Sequence, residues 1–95
     1  MNITTLEANA SRLAEKLKAD GFDVYVNSFR MGRGSSSEFG VSQVDIQIER
    51  GDTYEDDDWV YESYTIYANG YYGGDFDSNW SWKQIKTRIL EEVYA

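Results

Sequence analysis

The chain contains no cysteine and no histidine, and no proline linker divides it. Without cysteine there is neither a disulfide framework nor thiol chemistry, and the redox compartment is only loosely constrained. Without histidine, no His-containing zinc site and no His-based nucleophilic triad can be built. Carboxylate, lysine or tyrosine chemistry and an all-oxygen metal site remain open. The opening stretch, MNITTLEANASRLAEKLKAD, lacks a basic n-region and an apolar h-region, and no run approaches membrane-spanning length. A soluble cytoplasmic protein without a cofactor is expected.

What the chain does have is rings and acid. Eight Tyr, four Phe and three Trp occur in 95 residues, and rings bury much area each, so one small core over residues 1–95 can form without staples. The net charge of −8 argues against direct binding to nucleic acid or an anionic membrane, because both repel it. Its distribution is uneven. Residues 1–37 and 78–95 each sum to +1, whereas residues 38–77 hold eleven acids against Arg50 alone, for −10.

Periodicity orders the elements. Leu6, Ala10, Leu13, Ala14 and Leu17 recur on one helical face. Thr4 with Glu7 fits a capping box, and Gly21 follows the last turn. Arg12, Lys16 and Lys18 line the solvated side. Phe22, Val24 and Val26 then alternate with Asp23, Tyr25 and Asn27, the period of a half-buried strand. MGRGSSS is a hairpin loop; no GK[ST] follows its glycines, so a phosphate loop is not indicated.

In EFGVSQVDIQIE, Val44, Ile46 and Ile48 share a face while Phe39 and Val41 have the opposite parity, which predicts a bulge or bend near Ser42 and Gln43. WVYESYTIYA is a third strand, with Val60, Tyr64, Ile66 and Ala68 on one side and Trp59, Tyr61, Ser63, Thr65 and Tyr67 on the other. A Gly-rich loop precedes a last helix, where Ser81 with Gln84 fits a capping box and Trp80 with Ile85 a hydrophobic staple. The expected fold is α+β: helix, three-stranded antiparallel meander, helix (αβββα), with both helices on one face of the sheet. The other face would then bear Tyr25, Tyr61 and Tyr67.

RGDTYEDDDW, residues 50–59, concentrates Asp52, Glu55, Asp56, Asp57 and Asp58 beside Tyr54 and Trp59. A solvated hairpin tip that discourages aggregation is the plainest explanation. A calcium loop fits poorly, since adjacent carboxylates point apart and the order D-x-D-x-D-G is missing. Such a surface also suits a protein's nucleic-acid site. Lys/Arg-lined channels evolved to hold regularly spaced negative charge, and Tyr54, Trp59 and Tyr61 can stack on guanidinium planes. Glu62, Glu49, Asp45 and Glu38 would extend the acid along the flanking strands. A Glu49–Glu62 carboxylate pair of the glycosidase type is conceivable, but a chain this short leaves little material for a cleft.

A short cysteine-free chain beginning MNITTLEANASRLAEKLKADGFDVYV, ordered helix, hairpins, helix, with its acid in VDIQIERGDTYEDDDWVYES, resembles in layout the small phage-encoded anti-CRISPR proteins, in particular the acidic ones that imitate DNA. That resemblance implies a stoichiometric inhibitor acting in the host bacterial cell, whose partner is a Cas effector subunit. It lies in size, element order and charge, so the site residues come from charge alone: Asp45, Glu49, Asp52, Tyr54, Glu55, Asp56, Asp57, Asp58, Trp59, Tyr61 and Glu62. The expectation is a non-enzymatic inhibitor of a basic nucleic-acid-binding protein, bound to neither DNA nor membrane itself. The alternative is an interaction or homodimerisation module (a toxin-neutralising immunity protein included) that uses the tyrosine face, with acid for solubility.

Overall fold

A computed structural model of the chain describes residues 1–30, 41–69 and 73–95. Helix α1 (Ile3–Ala19) is capped one residue before it begins: Asn2 is extended, and its side chain accepts the Thr5 N–H at 2.8 Å. Asparagine is among the best N-caps, so the box expected from Thr4 and Glu7 does not form. Thr4 already lies inside the first turn, and the Glu7 carboxylate turns instead to Arg30 and the Ser28 hydroxyl. The helix ends as expected. Gly21 takes φ +94°, and the Gly21 and Phe22 N–H groups return to the Lys18 and Leu17 carbonyls at 3.0 Å. That is the Schellman pattern, with Phe22 and Leu17 both in the core.

Strands β1 (Asp23–Phe29), β2 (Gln43–Arg50) and β3 (Val60–Tyr67) form one antiparallel sheet in sequence order. Val24 pairs with Ile48, Val26 with Ile46, Val44 with Ile66, and Ile46 with Tyr64. This register stacks the apolar parities of all three strands on one side. Leu6, Leu13 and Leu17 of α1 and Ile85, Ile89 and Val93 of α2 (Trp82–Val93) complete the same buried cluster. Both helices therefore cover one face, as the alternation predicts. The ladder is uninterrupted from Gln43 to Arg50, so no bulge interrupts β2; the chain bends at Val41 just before it, and Ser42 is buried in step with Val44. Phe39 and the MGRGSSS loop lie outside the described residues.

The second helix starts where its caps predict. Ser81 and Gln84 exchange side chain–backbone bonds at 2.8 and 3.3 Å, and Trp80 and Ile85 both pack on the core. Of the Gly-rich segment before it, residues 70–72 lie outside the described residues. Residues 73–75 run against the edge of β3, where Asp75 donates its N–H to the Thr65 carbonyl (2.9 Å) and accepts the Thr65 N–H on its carboxylate (2.5 Å). A Cβ on Gly74 would sit 2.6 Å from that carbonyl oxygen. Only glycine lets the segment come so close.

Candidate partner-binding surface

The outer face of the sheet is built by the residues that the core rejects. Across the strands run the rows Asp23–Glu49–Tyr61, Tyr25–Gln47–Ser63, Asn27–Asp45–Thr65 and Phe29–Gln43–Tyr67. Along the central strand the sequence Gln43, Asp45, Gln47, Glu49 places amide and carboxylate in alternation on this one side. Each glutamine donates to the acid two residues on, Gln43 to Asp45 and Gln47 to Glu49, both at 3.0 Å. Asp45 also accepts the Thr65 hydroxyl at 3.0 Å. These half-buried carboxylates are held at fixed positions, unlike acids on a mobile loop. Tyr25 and Tyr61 are 53% and 50% exposed, so the tyrosine face is open at those two positions.

Beyond β2 the chain enters the acidic turn, which has a structure of its own. Gly51 takes φ +83°, and a Cβ there would meet the Trp59 Cα at 3.1 Å. One Asp56 carboxylate oxygen accepts the N–H groups of Asp52 (2.8 Å) and Thr53 (3.2 Å), and the Thr53 hydroxyl accepts that of Glu55 (3.2 Å). Aspartate commonly organises turns in this way. Arg50 donates to the Asp58 carbonyl at 2.9 Å and lies 4.3 Å over the Phe22 ring, tying the base of the turn to the body. Two of the five acids are thus engaged: Asp56 closes the turn, and the Asp58 carboxylate stands 3.9 Å from Arg50. The carboxylates of Asp52, Glu55 and Asp57 have no partner among the described residues and are exposed. Tyr54 is 78% exposed, and Trp59 stacks on Tyr61 with ring centroids 6.4 Å apart and planes 13° from parallel.

Ten of the eleven expected residues therefore lie on the outer face or the turn next to it. Glu62 does not. It stands opposite Ile48 on the helix-covered face, where burial and then the nearby Glu92 raise its pKa. Its neighbour Tyr64 donates to Glu92 at 2.5 Å, and burial and that bond raise the phenol's pKa. Glu49 and Glu62 consequently point to opposite sides of the sheet, and the carboxylate pair considered above is not formed. Glu38 lies outside the described residues. Among the described residues no group of three or more acids is placed to hold a metal ion. The residues that charge counting missed are Gln43, Gln47 and Thr65, which position the acids, and Asp23, which faces Glu49. The period-two QVDIQIE pattern is the signal that would have found the glutamines.

Protein-family models, curated proteins and solved structures were all compared with the chain, and none matches it. No helix among the described residues is long and apolar enough to cross a membrane.

Proposed function

We propose that the chain is a non-enzymatic inhibitor that occupies the basic nucleic-acid site of another protein. The observation that carries this is the continuous acidic row: Asp45 and Glu49, each held by a glutamine, leading into the free carboxylates of Asp52, Glu55 and Asp57. At about 3.4 Å per strand residue, Asp45 and Glu49 are roughly 14 Å apart along the strand. About four nucleotides of a B-form strand span the same axial distance. Charge fixed in advance on a rigid strand costs less ordering on binding than charge on a floppy tail. The stacked Trp59–Tyr61 pair and Tyr54 lie beside the row and supply flat surfaces for arginine side chains. A Cas effector is the target to which the layout resemblance points.

The test is capture from bacterial lysate on immobilised protein, with excess duplex DNA as competitor. The expected result is a nucleic-acid-binding protein that DNA displaces and that added salt releases steeply. The triple variant D52K/E55K/D57K should bind it at least ~100-fold more weakly, since each charge-assisted contact is worth about 1.5–3 kcal/mol. Its circular dichroism should match the parent, because none of these three side chains has a structural partner among the described residues. Equal capture by the triple variant, or a complex indifferent to DNA, overturns the proposal.

A further inference from the structure

The two edges of the sheet are not alike. Asp75 bonds Thr65 on the β3 edge, so the odd-numbered residues of β3 point outward there, and the pleat then fixes the rest. β2 turns its odd residues to β1, and β1 turns Val24, Val26 and Ser28 to its own free edge. Among the described residues nothing pairs with those three backbone N–H and C=O groups. An edge that carries no protective device is a template for another strand.

We infer that this edge binds β1 of a second copy of the chain, making an antiparallel six-stranded sheet with its two-fold axis at Val26. β1 complements itself. It holds a single charge, Asp23, at its start, and Arg30 follows its end. In the two-fold register Val26 faces Val26 of the second copy and Val24 faces Ser28, each pair exchanging both backbone bonds, roughly six in all. Asp23 then lies opposite Phe29 of the other copy on the outer face, while Arg30 stays on the helix side with Glu7, so no like charges oppose. The Asp45–Glu49 row and the acidic turn stay uncovered. The inference is independent of the proposed inhibitor function and stands or falls separately.

The absence of cysteine makes the register directly testable. Tyr25 of one copy and Asn27 of the other form a non-hydrogen-bonded pair with Cα atoms about 4.5 Å apart, inside the range for a disulfide. An equimolar mixture of Y25C and N27C chains under mild oxidation should give a disulfide-linked heterodimer. Each variant alone should not cross-link, because like positions are about 7–8 Å apart on the diagonal. The unmodified chain should sediment at twice its 10.9 kDa mass, more completely at 0.5 M than at 0.05 M NaCl. The reason is that salt screens the repulsion between two acidic chains. Sedimentation as a monomer at high salt and high concentration overturns the inference. So does cross-linking of the single variants as efficient as that of the mixture.

Discussion

The same three strands present two faces that share a backbone and almost nothing else. On one, Val44, Ile46 and Ile48 of the central strand are fully buried under the helices; on the other, Gln43, Asp45, Gln47 and Glu49 alternate with them and stay half-exposed. Strand periodicity lets a chain this short separate two jobs at single-residue resolution. One face stabilises the fold through apolar burial, and the other is free to carry charge whose mutual repulsion would be intolerable inside. The separation implies that adjacent residues should respond to substitution in opposite ways.

The largest effect should come from the centre of the buried face. Ile46→Ala removes a side chain that is 0% exposed and should cost about 2–5 kcal/mol in urea denaturation. That is a large part of the stability of a domain this size. Gln47→Ala, the next residue, should change stability by no more than about 0.5 kcal/mol, while freeing Glu49 to move. If the two substitutions cost the same, the faces are not separated in the way described.

A smaller loss is expected at the β3 edge. Gly74→Ala sets a methyl group 2.6 Å from the Thr65 carbonyl oxygen and 3.0 Å from the Tyr67 ring, so the 73–75 segment must lift. About 1–3 kcal/mol should be lost, the usual cost of overpacking. Hydrogen exchange should show the Thr65 amide, bonded to Asp75, losing protection while the Ile46 amide keeps its own. Uniform loss across the sheet would mean that the segment is part of the core and not an edge cover.

The helices and strand parities were legible because period alone determines which side chains face inward, and Ile85, Ile89 and Val93 needed nothing more. Caps were less so: Thr4 with Glu7 fits the pattern, but Asn2 is a better cap acceptor two residues earlier, and Glu7 is drawn to Arg30 and Ser28 by contacts the local sequence does not show. Asp56 was read as one charge among five, since its inward role depends on the turn closing around Gly51. The Asp75–Thr65 contact joins a loop to a strand ten residues away and leaves no local trace. Glu62 is different. Its even parity with Tyr64 and Ile66 was visible in the sequence, and counting charge in place of position put it on the wrong face.

Glu62 therefore offers the finest probe of the contrast between the faces. Its folded-state pKa is raised, first by burial and then by Glu92, so in the range between the unfolded and folded values the folded protein binds the proton more tightly than the unfolded chain does. Stability from this group falls as pH rises from the unfolded carboxylate value of about 4.3 through the folded one. Glu62→Gln should accordingly stabilise the protein at pH 7 and make no difference at pH 3. Glu7 has the opposite sign. The bond from Arg30 lowers its pKa, so its contribution is present above the unfolded value and lost as pH falls through the folded one. Glu7→Gln should cost stability at pH 7 and little in acid. Thermal denaturation of the two variants across this range should give curves that diverge from the parent in opposite directions. Parallel curves would mean that Glu62 is as well solvated as the acids of the outer face.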